Sequence, residues 1–91
     1  MLSGKEKRAL RAQGNQLRTE IWVGKEGISE GTLKALENSF NTKELVKIKL
    51  QENCPLEKQE VADILCRKTR SELVQILGNT ILLYRPLPEE Q

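Results

Sequence analysis

Ninety-one residues with 15 Lys/Arg, 13 Asp/Glu and no histidine suffice for one small core and little more. Without histidine there is no Cys/His zinc site and no Ser-His or Cys-His catalytic pair. No run approaches the roughly 18 apolar residues of a membrane span, and no apolar run follows the charged stretch Met1–Arg8, so a cytoplasmic chain without a secretory signal or membrane contact is expected.

Charge is unevenly placed. Residues 1–25 carry six Lys/Arg against two acids, residues 26–50 four of each, and residues 51–91 five bases against seven acids. A basic end hints at an anionic partner. Cys54 and Cys66 are the only cysteines and form no CxxC, so reduced structural thiols are expected, with a disulfide between them as the lesser alternative.

Ser3-Gly4-Lys5-Glu6 fits a capping box and opens the first helix, which the pattern carries to about Arg18. Leu10 and Leu17 share its apolar stripe, and Lys7, Arg11 and Arg18 fall on a neighbouring one, with Gly14 between the arginines as a stop or a close-packing point. Glu20-Ile21-Trp22-Val23 reads as a short strand. Ser29 caps a second helix from Glu30 to Asn41, with Leu33, Leu36 and Phe40 on one face. Ile28 stands where a hydrophobic staple to Leu33 would form.

Leu45–Leu50 alternates as a strand, Val46, Ile48 and Leu50 facing a core and Lys47 and Lys49 facing solvent. A third helix is expected with Pro55 at its first position, Glu57 and Glu60 near its positive end, and Val61, Ile64 and Leu65 buried. Gly78-Asn79 between Leu73–Leu77 and Thr80–Arg85 signals a two-residue hairpin. Pro86 and Pro88 end the last strand, residues 87–91 form a C-terminal tail, and Glu89-Glu90-Gln91 is expected to fray. The order α-β-α-β-α-β-β implies one α/β domain over residues 1–86, a mixed sheet carrying helices.

The organising stretch is Val23-Gly24-Lys25-Glu26-Gly27-Ile28-Ser29. Two glycines between a strand exit and a helix cap permit positive φ and close backbone approach, and amides beside a helix start and a lysine can hold a phosphate. Turn chemistry alone also explains such a loop. Trp22, Phe40 and Tyr84 are the only aromatics and lie in apolar patterns, so core packing is expected of all three. No Walker phosphate loop occurs, and each carboxylate reads as surface or helix-start charge, so no catalytic residues are assigned.

Those loop residues, with Glu44-Leu45-Val46-Lys47-Ile48-Lys49, Glu52-Asn53-Cys54-Pro55 and Gly78-Asn79-Thr80-Ile81-Leu82-Leu83-Tyr84-Arg85, resemble the YhbY-like proteins of bacteria. These are stand-alone CRM (chloroplast RNA splicing and ribosome maturation) domains. The resemblance runs from about Leu2 to Pro86. It implies a four-stranded mixed sheet with helices, similar to the C-terminal domain of translation initiation factor three. It implies RNA binding, association with ribosomal RNA in precursors of the large ribosomal subunit, and a part in their maturation.

The family's G-x-x-G loop falls on Gly24, Lys25, Glu26 and Gly27, and its basic first-helix surface on Lys5, Lys7, Arg8, Arg11 and Arg18. Glu26 departs from the small residue often found there and would weaken attraction for a phosphate unless it swings away or Lys25 offsets it. No cofactor, metal or small-molecule substrate is implied. A different class of function is a protein-interaction module that reaches the ribosome through a ribosomal protein, using the acidic third helix (Glu57, Glu60, Asp63).

Overall fold

The computed structural model describes residues 2–87. Its elements are α1 (Gly4–Gly14), β1 (Ile21–Val23), α2 (Glu30–Phe40), β2 (Leu45–Leu50), α3 (Lys58–Thr69), β3 (Glu72–Leu77) and β4 (Thr80–Tyr84). The four strands form one mixed sheet in the order β1-β2-β4-β3. β1 pairs parallel to β2, and β4 lies antiparallel between β2 and β3. The expected class and element order therefore hold.

Local signals explain most boundaries. Ser3 Oγ accepts from the Glu6 amide at 3.1 Å, and Glu6 Oε1 accepts from the Ser3 amide at 3.2 Å, closing the capping box that starts α1. Ser29 caps α2 in the same way with Thr32 as its partner, and Asn41 ends it. Ile28 and Leu33 both pack against the main core. Gly78 adopts φ +58° while Asn79 keeps a negative φ, as a type II′ hairpin turn requires. The C-cap of α3 is Arg70 in the left-handed region (φ 57°), and the Arg70 amide donates to the Cys66 carbonyl.

The pleat divides the sheet into two faces. Ile21, Val23, Val46, Ile48, Leu50, Ile81 and Leu83 point to one face, where α2 and α3 seal them with Leu36, Phe40, Val61, Ala62 and Leu65. Leu45, Val74 and Leu82 point to the other, where α1 and the turn after it bring Leu2, Leu10 and Leu17. Val74 owes its place to a bulge, the register with β4 shifting between Leu73 and Gln75.

Several expectations need correction. α1 stops at Gly14 instead of reaching Arg18, because Gly14 presses on buried Leu82: a Cβ there would lie 2.4 Å from Leu82 Cδ2. Arg18 therefore leaves the helical stripe of Lys7 and Arg11. Lys47 is not simply solvated, since its Nζ donates to the carbonyls of Gly14 and Leu17, both at 3.3 Å, and so closes the open end of α1.

Trp22 is not core. It alternates with buried Ile21 and Val23 and stands 53% exposed. α3 begins at Lys58 with Glu57 as N-cap, not at Pro55, because Leu56 turns inward to pack against the core. Ala62, not Ile64, completes its buried stripe. Of the tail, residues 88–91 lie outside the described residues, while Leu87 lines a shallow cleft with Gln13, Leu17 and Leu45.

Arg85 ties the layers together. Its Nη1 donates to Glu37 Oε1 of α2 at 2.8 Å and to the Thr69 carbonyl of α3 at 2.9 Å, and its guanidinium sits 4.9 Å from the centre of the Phe40 ring. Charge-assisted bonds of this half-buried kind are worth about 1.5–3 kcal/mol. Arg85→Ala is expected to lower unfolding free energy by about 2 kcal/mol. Urea titration checks this: the midpoint should fall while the slope stays unchanged.

Candidate nucleic-acid interface

The loop from β1 to α2 is a β-turn. The Gly24 carbonyl accepts from the Gly27 amide at 2.9 Å, putting Lys25 and Glu26 at the tip, both exposed. Gly27 then takes φ +67° and is buried, with Pro55 and Leu56 at van der Waals distance from where a Cβ would stand. The Glu52-Asn53-Cys54-Pro55 segment thus buttresses the glycine loop, although the two lie far apart in sequence. Its own turn is closed by the Cys54 amide on the Gln51 carbonyl at 3.0 Å.

The two glycines are there for different reasons. Gly27 needs its left-handed backbone, which is strained for any L side chain. Gly24 has no positive φ, and a Cβ there meets chiefly the Oε1 of exposed Gln51, the free end of a flexible side chain. The fold accordingly demands glycine at 27 and tolerates more at 24. What glycine at 24 does supply is open backbone beside the turn.

Among the described residues, the amides of Lys25 and Glu26 donate to no protein acceptor, whereas that of Gly27 is engaged within the turn. A phosphate would therefore meet the two tip amides and the Lys25 ammonium, with the Glu26 carboxylate alongside. The start of α2 offers less than the sequence suggests, because Thr32 answers the cap and Glu30 occupies the first turn.

Of the basic residues predicted on the first helix, Lys5 and Arg8 point outward, and Lys7 and Arg11 are half-buried at the margin of the helix contact. Arg18 is exposed in the connection to β1. Among the described residues the ion pairs are Lys43–Glu20 and Arg85–Glu37, so none of these five cations, nor Lys25, enters one.

The direction of α1 can be read from its neighbours. Glu6, Ala9 and Leu10 line a cleft with Tyr84, and Gln13 lines one with Thr42–Leu45. That flank faces the end of the sheet where β2 starts and β4 finishes. At 3.6 residues per turn, Lys7 and Arg11 occupy the opposite flank, toward the end where β1 runs into the loop. The start of α1 lies away from the loop, the Leu2 amide donating to Glu72 Oε2 at the head of β3. The structure thus aims Lys7 and Arg11 toward the loop's end of the sheet and leaves Lys5 and Arg8 facing outward.

Cys54 and Cys66 are free thiols; burial pushes the Cys66 thiol up, only partly countered by its hydrogen bond with Ser71. No cluster of metal-ligating side chains occurs among the described residues. A groove of about 720 Å³ runs past Leu50, Cys54, Leu56 and Ile76, and its charged lining of Glu52, Glu57 and Lys58 does not favour an anion.

The CRS1/YhbY (CRM) domain profile matches residues 2–85. The chain belongs to the CRM domain family. A Bacillus subtilis protein named "Probable RNA-binding protein YqeI" is 38% identical over 91 residues, covering 100% of this chain and 95% of the relative. A Haemophilus influenzae protein named "RNA-binding protein" is 34% identical over 88 residues, 97% of this chain and 89% of its own. The solution structure of the hypothetical protein SAV1595 from Staphylococcus aureus matches this CRM domain with TM-score 0.83 and 37% identity, over 100% of this chain and 95% of that one. Each of these three is close in length to the CRM domain described here.

The unequal glycines give a direct check. Gly27→Ala should lose about 1–2 kcal/mol, the penalty of an L residue in the left-handed region. Gly24→Ala should stay within about 0.5 kcal/mol of the parent. Chemical denaturation of the two variants side by side measures the contrast.

Proposed function

We propose that the protein is a non-catalytic RNA-binding domain that associates with precursors of the large ribosomal subunit in the cytoplasm and assists their assembly. The observation that carries this reading is the turn Gly24–Gly27: two open amides and Lys25 at an exposed tip. Five unpaired cations on and after α1 lie on the side of the sheet away from α2 and α3 and its flank. The names of the relatives, two of them RNA-binding proteins in words, support it. Gly24, Lys25, Glu26 and Gly27 would clamp RNA backbone, and Lys5, Lys7, Arg8, Arg11 and Arg18 would follow neighbouring phosphates. Contacts of this type position the RNA without reading its sequence, so recognition rests on shape.

The test is binding to protein-free large-subunit ribosomal RNA across a range of salt. Each phosphate neutralised contributes about −0.7 to the log–log slope, so six engaged cations give a slope near about −4. A slope near zero, or no binding, would discard phosphate clamping and leave the acidic surface of α3 (Glu57, Glu60, Asp63) as the contact for a ribosomal protein. Glu26 opposes the clamp and has no ion-pair partner among the described residues. Glu26→Gln is therefore expected to tighten RNA binding by about two- to five-fold at low salt and by less at high salt, as for an exposed charge. Filter binding at two ionic strengths measures both effects.

A further inference from the structure

One row of the sheet face that carries α1 is left uncovered. Register places Trp22 of β1 beside Lys49 of β2, Lys49 beside Thr80 of β4, and Thr80 beside Leu77 of β3. Alternation puts all four on the side of Leu45, Lys47 and Leu82, under α1, and not on the side sealed by α2 and α3. But α1 ends on Leu82, so the row beyond it has no roof. Trp22 is 53% exposed and Leu77 64%; Lys49 is exposed and Thr80 half-buried. At roughly 4.8 Å per strand the row spans about 14 Å.

A single exposed apolar side chain needs no explanation. Here two large ones mark the ends of one open row, with a lysine between them. The borders of the row are cationic as well. Lys7 and Arg11 occupy the flank of α1 turned toward it, and Lys25 stands at the loop entered one residue after Val23, with Glu26 opposing there. An apolar strip edged by cations and continuous with a backbone-clamping loop fits single-stranded RNA better than an apolar protein segment. Bases supply flat faces to lie on Trp22 and Leu77 while their phosphates meet the lysines.

We propose that this row is a base-stacking platform for unpaired RNA, with a nucleobase lying on the Trp22 indole and the following bases crossing Lys49 and Thr80 toward Leu77. This rests on the RNA-binding reading above and adds to it a ligand class, unpaired nucleotides, and a stacking residue. Phosphate clamping at Gly24–Gly27 would hold the backbone at one end of the row while the sheet receives the bases.

Trp22 is the only tryptophan in the chain, so its emission reports the event directly. The probe is an oligoadenylate of about ten nucleotides, within the roughly 4–16 that single-strand sites cover, set against a fully paired RNA duplex. The single strand should quench Trp22 emission saturably and the duplex should not. Trp22→Ala should weaken oligoadenylate binding on the order of ten-fold, the size of one lost base–aromatic stack, with the salt slope unchanged. Trp22→Phe should retain most of the affinity, and Lys25→Ala should make the slope shallower. Thermal midpoints of both Trp22 variants near the parent value establish that the fold is kept, as expected for a half-exposed side chain.

If the oligonucleotide binds without changing Trp22 emission, and Trp22→Ala binds as tightly as the parent, the platform is wrong while RNA binding stands. If neither single strand nor duplex nor ribosomal RNA binds at low salt, the RNA-binding reading falls and the platform with it.

Discussion

The contact of Gly14 with Leu82 sets how far the first helix reaches, and most of the surface chemistry follows from it. Without a Cβ, Gly14 lets the helix backbone settle on a leucine that is 2% exposed. Lys47, from the neighbouring strand, then donates to the Gly14 and Leu17 carbonyls, so the helix end is satisfied without further turns. A helix of 11 residues is only about 16 Å long. It roofs the rows of Leu45 and Leu82 and stops short of Lys49. The opposite face has two helices and is closed. The half-face left open lies beside the glycine loop.

The glycine loop depends on a second long-range support. Its turn is local, but the left-handed Gly27 is held against Pro55 and Leu56, which belong to the segment leading into α3. That segment is itself fixed because Leu56 is drawn into the core. The consequence is a tip whose backbone is presented on a rigid base, with its two open amides and its lysine outside. Order in the donors before an anion arrives reduces the entropy lost when it binds. Arg85 plays the corresponding part at the far end of the sheet, bridging α2 and α3 from the residue that follows β4.

Where sequence and structure agree, the information was local. The Ser3 and Ser29 caps and the Gly78-Asn79 turn involve residues only a few positions apart, and the alternation of Leu45–Leu50 is carried by its own six residues. The disagreements share a cause as well. Nothing near Gly14 distinguishes a stop from a tolerated glycine; Leu82, far along the chain, decides it. Pro55 is a good first helical residue by propensity, and lost to the burial of Leu56. Trp22 was legible in principle, since Ile21 and Val23 claim the inner face. A strand of three residues is too short for that alternation to outweigh the prior that an aromatic in an apolar run is buried. The candidate stretch was visible as glycines beside a cap, but turn chemistry predicts the same residues. The resemblance of several separated blocks supplied the weighting, and the CRM profile over residues 2–85 shows the family.

An open apolar row on a sheet invites self-association, so the features that prevent it matter. Both edge strands are blunted: β1 has three residues, and β3 carries the bulge at Val74 that breaks an even ladder. Lys49 interrupts the row between its two apolar ends, so a second copy would bury a like charge against itself, the row of one molecule facing the row of the other. On the platform reading a polyanion would meet no such penalty, because the same lysine would lie among its phosphates. The sheet face is therefore selective by charge before any base is considered. An apolar row interrupted by a lysine thus opposes the stacking of one copy on another.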